Sequence, residues 1–200
     1  MFKVLGIGGS LRENGNTEYL LRQALSLFDP REFETELVPL KGLTIKPCRG
    51  CYGCMKAGKC TQEDDDFEPV YRQMVECDGL ILGSPVYFGS VHPQLMALLD
   101  RAGFVRLWTG QQFSGKVGGP ITVARRTGHL TAFSQLLLWF FINDITVPGS
   151  SYWTMSMAGA RGARDAEKDE EGLRHIAKFV GNMSRVMKAL KTEAAVDGSP

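Results

Sequence analysis

The chain has 200 residues, of which 44% are hydrophobic and 22% charged. This composition is typical of a globular protein and argues against a disordered, fibrous or membrane protein. Lysine and arginine total 23 and aspartate and glutamate total 22, so the net charge is +1, which gives no reason to expect nucleic acid or an anionic membrane as the main partner. Five cysteines are too few for a disulfide scaffold, yet four of them fall between Cys48 and Cys60.

The chain shows no recognisable targeting or membrane segment. Its N-terminus runs from Met1 into glycines without the longer apolar core and small-residue cleavage site of a signal peptide. The longest uncharged stretch, 127–143, is too short and too polar to span a bilayer. We therefore expect a cytoplasmic protein, in which thiols stay reduced and clustered cysteines suggest metal or redox chemistry.

Apolar periodicity predicts strands that alternate with helices. Strands are expected at 2–7, 33–37, 79–83, 116–124 and 145–147, and helices begin near residues 16, 67, 93, 131 and 170. This alternation implies a parallel sheet with helices on both faces. We predict one doubly wound α/β domain over residues 1–191, with five strands in the order 2-1-3-4-5, followed by a flexible tail at 192–200.

The loop after the first predicted strand, GGSLRENGNT at 8–17, is rich in hydroxyl and amide side chains. Ligands of open α/β sheets bind at the carboxyl ends of the strands. Ser10, Asn16, Thr17 and the N-terminus of the following helix are suited to a phosphate monoester, and Arg12 adds positive charge. The alternative is a polar loop that only caps the helix.

The loop after the third predicted strand offers flat surfaces beside the first loop. Its candidate ligand residues are Pro85, Val86, Tyr87, Phe88 and Gly89. Aromatic contacts and close backbone approach at the glycine suit a planar ring, although both aromatics could instead pack in the core. A phosphate at the first loop and a flat ring at this one are the two ends of FMN.

The loop after the fourth predicted strand borders the same crevice. Its candidate residues are Ala124, Arg125, Arg126 and Gly128. Positive groups near the ring would stabilise a reduced, anionic flavin, whereas a solvated basic turn is the alternative. His129, which follows, is expected to be a polar loop residue and not an acid or base.

The cysteine cluster has the spacing C-x2-C-x2-C over Cys48, Cys51 and Cys54, with Cys60 five residues later. Four thiolates meet the demand of a [4Fe–4S] cluster for one ligand per iron. Zinc, redox-active thiols, a disulfide pair and simple packing are the alternatives, although zinc sites typically join two C-x2-C pairs across a longer spacer. Cys77 stands apart and is predicted to be a buried small hydrophobic residue.

With these elements in place, the chain resembles the iron–sulfur flavoproteins of the NADPH-dependent FMN reductase superfamily. The resemblance covers about residues 3–190. It is carried by GGSLRENGNT, by PCRGCYGCMKAGKCTQEDDDFEPV, by SPVYFGSVHPQLMALLDRAG and by GKVGGPITVARRTGH. The cysteine motif followed by an acidic run is the most specific of these segments.

The resemblance implies a flavodoxin-like fold, FMN at the three strand-end loops and a [4Fe–4S] cluster on Cys48, Cys51, Cys54 and Cys60. It also implies a homodimer or homotetramer, in which the apolar segment 136–142 suits a subunit contact. The chain departs from the family pattern after the fourth strand, where Arg125 and Arg126 replace a glycine-rich loop and could admit an anionic substrate.

Three functions are consistent with the sequence. The first is an electron-transfer flavoprotein that links a one-electron carrier such as ferredoxin to a two-electron acceptor such as a quinone or an oxygen species. The second is an FMN or quinone reductase without a cluster, for which NAD(P)H is the electron donor. The third is a non-catalytic zinc-binding or interaction domain on the same scaffold.

Overall fold

A computed structural model of the chain describes residues 1–159 and 164–197. Its strands are β1 (Phe2–Gly8), β2 (Phe33–Pro39), β3 (Gly79–Tyr87), β4 (Ser90–Val91), β5 (Val117–Ala124) and β6 (Met155–Met157). Its helices are α1 (Asn16–Ser26), α2 (Gly53–Ala57), α3 (Phe67–Glu76), α4 (Pro93–Leu107), α5 (His129–Ile142) and α6 (Glu170–Asp197), with a 3₁₀ turn at Asp165–Lys168.

The sheet is parallel and has the order β2-β1-β3-β5-β6, while the two-residue strand β4 pairs with β3 in an antiparallel hairpin. The doubly wound flavodoxin-like fold predicted from the sequence is confirmed. Its principal strands follow the predicted order 2-1-3-4-5 once β4 is set aside. The short hairpin strand was not predicted, because two residues carry no periodicity.

Helices cover both faces of this sheet. Neighbouring residues of each strand point to opposite faces, so one strand packs against helices on both sides. Ile81 packs with α1 and α6, whereas Leu80 and Leu82 on the same strand pack with α3, α4 and α5. β1, β3 and β5 are buried along most of their length, which is why they appear in the sequence as largely apolar runs. The edge strand β2 is exposed at three of its seven residues and contains charged side chains.

The fifth strand of the sheet is not the segment predicted at 145–147. Thr146 makes only an isolated bridge to Val117, and the chain then leaves the edge at Pro148, which has no backbone N–H to continue a ladder. The chain returns at Met155–Met157, which pairs with Thr122–Ala124. The prediction of a strand at 145–147 rested on its β-branched residues. It missed that two segments, the bridge at Thr146 and the strand β6, pair with the same edge of β5.

Several boundaries also differ from the sequence prediction. β3 continues through Pro85 to Tyr87, and the cysteine loop contains the short helix α2. α6, expected to end near Leu190, continues to Asp197, so the predicted tail at 192–200 is helical as far as it is described, and its last three residues lie outside the described part. Among the described helices, none is both long enough and apolar enough to cross a membrane.

Candidate functional site

The three predicted ligand loops lie side by side at the carboxyl edge of β1, β3 and β5. Gly8 at the end of β1 pairs with Gly83 of β3, and Pro85 further along β3 pairs with Val123 of β5. The backbone N–H of Gly9 donates to the carbonyl oxygen of Gly83 at 2.8 Å, which ties the first loop to the third strand. The three loops therefore lie at the same edge of the sheet, where ligands bind in such folds.

The first loop presents a helix N-terminus that no side chain caps. The N-cap residue of α1 is Gly15, and it makes no side-chain cap hydrogen bond. Ser10 is buried and its Oγ accepts from the backbone N–H of Arg12 at 3.2 Å, while the Arg12 side chain is exposed. Helix termini of this kind attract phosphate, so this loop fits the phosphate of FMN.

Two of the predicted phosphate ligands, Asn16 and Thr17, are hydrogen-bonded to another element or buried in the fold. Asn16 Oδ1 accepts from the backbone N–H of Ala166 at 3.0 Å, which joins α1 to the 3₁₀ turn. Thr17 is buried beneath the first turn of α1, with 1% of its surface exposed. The bond of Asn16 thus secures the helix that carries the loop.

The second loop is the tip of the β3–β4 hairpin. Phe88 has a positive φ of 51° and is fully exposed, and Gly89 beside it has φ 81°. Tyr87 is partly exposed, and its ring centroid lies 4.8 Å from that of His92 in an edge-to-face contact. Pro85 and Val86 form the stem of the hairpin within β3. The tip thus offers an aromatic ring and open backbone toward a planar ligand.

Gln135 holds this hairpin from α5, a contact that the sequence analysis missed. Its Oε1 accepts from the backbone N–H of Val91 at 2.9 Å and from Ser90 Oγ at 3.2 Å. The two partners are more than forty residues away in sequence, so no local pattern signals the contact. Gln135 lies within a largely apolar helix, where a polar side chain is the hint that the sequence offers.

The third loop packs directly on the hairpin. A Cβ atom on Gly128, which has φ 91°, would lie 2.8 Å from Val86 Cγ1 and 3.0 Å from Gly89 Cα, so only glycine fits there without displacing the hairpin. Ala124 is buried at the end of β5, whereas Arg125 and Arg126 are exposed. The two guanidinium groups add positive charge at the edge of the crevice.

His129 is not the polar loop residue that the sequence suggested. It is the first residue of α5, it is buried, and its Nε2 lies 3.0 Å from the carbonyl oxygen of Ser156. The histidine therefore connects α5 to β6. Its helical position was missed because Gly128 in the left-handed conformation starts the helix two residues earlier than expected.

The four clustered cysteines line one small pocket beside α4. All four are free thiols: Cys54 is buried on α2, Cys48 and Cys60 are partly buried, and Cys51 is exposed. Phe104 of α4 lines the opposite wall. The four cysteines predicted to act together thus line the same pocket.

The thiols of this pocket differ in their electrostatic surroundings. A hydrogen bond from the backbone N–H of Gly53, together with one from Thr61, lowers the pKa of Cys51. Burial raises the pKa of Cys54. Cys77, outside the pocket, is buried in the core, and burial raises its pKa to about 11, which agrees with the structural role predicted for it.

The acidic run after the cysteines closes the base of the loop. The backbone N–H of Thr44 donates to Asp66 and that of Lys46 donates to Asp65, both at 2.7 Å, and Asp64 pairs with the Lys46 ammonium group. Asp66 is the N-cap residue of α3, but it makes no side-chain cap hydrogen bond. The three aspartates tie the segment before the cysteines to the segment after them.

Arg101 reaches this base from α4 and pairs with Asp65. Both side chains are 1% exposed. Burial by itself would raise the pKa of Asp65, but the hydrogen bonds from Arg101 and from the backbone of Lys46 outweigh burial and lower it. The loop is therefore anchored to the domain by a buried ion pair, which a reading of spacing alone does not reveal.

The cysteine thiols match the ligands of an iron–sulfur cluster in number and type, but not in their arrangement in this structure. Within residues 1–159 and 164–197, no three His, Cys, Asp or Glu side chains form a group that could hold a metal ion. The fit of a [4Fe–4S] group accordingly rests on the chemistry of the donors: four free thiols face one pocket, which is the ligand set that such a cluster requires.

Comparison with known proteins agrees with this geometry. The family model for NADPH-dependent FMN reductases matches residues 2–160. An iron–sulfur flavoprotein of Methanocaldococcus jannaschii is 37% identical over 94% of this chain and 99% of its own length. Another, from Archaeoglobus fulgidus, is 30% identical over 94% of this chain and 98% of its own. This chain belongs to the iron–sulfur flavoprotein family of the FMN reductase superfamily.

As a member of this family, the protein is a flavin-dependent oxidoreductase that uses FMN. The non-catalytic scaffold considered from the sequence is therefore wrong. Among solved structures, that of RosB with a bound intermediate, 8-demethyl-8-formylriboflavin-5'-phosphate, has a TM-score of 0.77. It is 20% identical and the match covers 100% of this chain and 88% of that one, which supports the fold.

Proposed function

We propose that this flavoprotein transfers electrons between a one-electron carrier, such as a ferredoxin-like protein, and a two-electron acceptor, such as a quinone or an oxygen species. The observation that carries the proposal is the set of four free thiols around one pocket in a chain of an FMN oxidoreductase family. We place this activity in the cytoplasm, where such thiols stay reduced.

The residues proposed to hold FMN surround the crevice at the ends of β1, β3 and β5. They are Ser10, Arg12, Asn16, Thr17, Pro85, Val86, Tyr87, Phe88, Gly89, Ala124, Arg125, Arg126 and Gly128. FMN supplies the ability to store one or two electrons, so the reaction needs no acid or base from the protein. The chain's own groups hold the phosphate at the α1 N-terminus and place positive charge at the ring.

The residues proposed to hold a [4Fe–4S] cluster are Cys48, Cys51, Cys54 and Cys60. The chain contributes four cysteine sulfurs to one pocket, which residues of α4 also line. A cluster at this position supplies single-electron exchange, which complements the two-electron capacity of the flavin.

Metal analysis of anaerobically purified protein tests this proposal. We expect about four iron and four sulfide per chain, and flavin and cluster absorption bands that respond separately to dithionite. Cys54→Ala is expected to lose most of the iron and sulfide, whereas Cys77→Ala, the matched control outside the pocket, retains them. Wild-type protein that contains FMN but neither iron nor sulfide contradicts the cluster assignment.

A second candidate is an NAD(P)H-dependent FMN or quinone reductase without a cluster. It is favoured by the family model, which describes NADPH-dependent FMN reductases. Reduction of the bound flavin by NADPH at the same rate in iron-free wild-type protein and in Cys54→Ala would support this candidate. Zinc in place of iron in the metal analysis would point the same way.

We also propose that the protein forms a homodimer or homotetramer through α5. The outer face of this helix exposes Leu138 (67%), Phe141 (84%) and Ile142 (68%). A contiguous apolar surface of this kind is unusual on a monomer and is typical of a subunit contact. The predicted apolar segment 136–142 thus divides into a buried inner face and an exposed outer one.

A further inference from the structure

Arg101 is a buried arginine whose hydrogen bonds all go to the cysteine loop. Its Nη1 donates to the carbonyl oxygen of Lys46 at 3.2 Å and pairs with Asp65, and its Nη2 donates to the carbonyl oxygen of Gln62 at 2.7 Å. The guanidinium carbon lies 4.0 Å above the ring centroid of Phe67. These contacts fix the orientation of the guanidinium group.

The same guanidinium group also donates to a cysteine sulfur. Arg101 Nη2 lies 3.3 Å from Cys60 Sγ, and Arg101 lines the pocket that the four cysteines share. A purely structural anchor needs only the carbonyl and carboxylate partners. The contact with Cys60 places a fixed positive charge and an N–H donor against one of the four candidate ligand sulfurs.

We propose that Arg101 is a positioning residue that orients Cys60 and raises the reduction potential of a cluster held by the loop. Hydrogen bonds to ligand sulfurs and nearby charge are among the factors that set such potentials. Reduction adds negative charge near the sulfurs, and a buried cation at this distance favours that state. The inference rests on the proposed cluster and names a residue outside its ligands.

The test compares midpoint potentials in anaerobic redox titrations of the iron–sulfur signal, read by electron paramagnetic resonance. Arg101→Gln removes the charge and shortens the side chain, so we expect the ratio of reduced to oxidised cluster at a fixed potential to fall about tenfold. For a one-electron couple this equals a shift of about 59 mV to more negative potential. The flavin midpoint serves as an internal reference.

Arg106→Gln is the matched control. Arg106 lies on the same helix and is also buried, but its guanidinium binds Asn143, Gln111 and the carbonyl oxygen of Ile142, away from the cysteines. This variant is expected to keep the wild-type midpoint even if it is less stable. A loss of stability alone therefore does not imitate the effect expected for Arg101→Gln.

A wild-type midpoint in Arg101→Gln with full iron content overturns the proposal, as does an equal shift in Arg106→Gln. If Arg101→Gln fails to assemble the cluster, Arg101→Lys is measured in its place. We expect the midpoint potential of Arg101→Lys to shift in the same direction, because lysine lacks the planar group that donates to several acceptors at once. A wild-type midpoint potential in Arg101→Lys contradicts the proposal. Absence of iron from the wild-type protein is a separate result that rejects the cluster itself.

Discussion

Asp65 and Arg101 form the ion pair on which the cysteine loop depends. Each side chain is 1% exposed, so neither charge has water to solvate it if the other is lost. Removing one partner of a buried ion pair lowers the free energy of unfolding, because the remaining charge stays buried without a counter-charge. This loss is larger than the stability that the intact pair adds relative to apolar side chains of similar volume. The pair is thus a point at which a single substitution has a large effect.

We predict that Asp65→Asn lowers the free energy of unfolding by about 3–5 kcal/mol, because it leaves the Arg101 charge buried and uncompensated. Urea denaturation of wild-type and variant protein measures the change. Asp64→Asn is the matched control, since Asp64 pairs with Lys46 on the surface and is 73% exposed, and we expect it to change stability little. Equal losses in the two variants would show that burial is not the cause.

The same pair predicts a dependence of stability on pH. Because the pKa of Asp65 is lowered in the folded state, its contribution is fully present above the ordinary aspartate pKa of about 3.9 and is lost as pH falls through the folded value. The stability difference between wild type and Asp65→Asn should therefore shrink in acid. A difference that is constant from neutral pH to pH values below this range would contradict the assignment.

At the scale of elements, the crevice at the strand ends depends on contacts between loops and helices. Gln135 of α5 holds the β3–β4 hairpin, and Gly128 allows the loop after β5 to pack against it. The residues proposed for FMN are thus oriented by partners that do not contact the ligand. Loops supported in this way keep their geometry although they lie at the surface.

We predict that Gln135→Leu weakens FMN binding about tenfold, since a loss of roughly 1.4 kcal/mol in orienting the hairpin has that effect on a dissociation constant. Quenching of FMN fluorescence on titration with apoprotein measures the affinity. Gln135→Glu keeps an acceptor oxygen for Val91 N–H and Ser90 Oγ, so it is expected to bind FMN more tightly than Gln135→Leu. Unchanged affinity in Gln135→Leu would mean that the hairpin does not need this contact.

At the scale of the whole molecule, the outer face of α5 is an apolar surface that stays exposed to solvent in a single chain. Phe141 and Ile142 are 84% and 68% exposed, although the inner side of the same helix is buried in the core. Association of two copies through this face removes apolar area from water, which is the main driving force of obligate interfaces. The proposed oligomer thus follows from the surface that the fold leaves exposed.

We predict that Phe141→Glu converts the oligomer to a smaller species, because it places a charge in the centre of the apolar contact. Sedimentation velocity at several concentrations measures the change. Leu27→Glu is the control, since Leu27 is also exposed (52%) but lies at the end of α1, which packs on the opposite face of the sheet. Wild-type protein that sediments as a monomer at all concentrations contradicts the proposed oligomer.

Several features were determined by the sequence alone because they depend on neighbours along the chain. Apolar runs that end in glycine or proline predicted β1 and β3, a loose alternation predicted β2, and the spacing of Cys48, Cys51 and Cys54 predicted that one loop collects the thiols. The strand-end position of the ligand loops followed from parallel pairing. In these cases the physical signal is local, so a pattern of residues is sufficient.

Other features were decided only in the tertiary structure, because their partners are distant in the chain. Arg101 meets Asp65 across 36 residues and Gln135 meets Val91 across 44, so neither contact leaves a periodic trace. The edge strand was assigned incorrectly for the same reason: pairing with β5 depends on which segment reaches its hydrogen-bonding edge, and not on β-propensity. The sequence identifies the groups that carry the proposed chemistry, whereas packing determines which residues hold them in place.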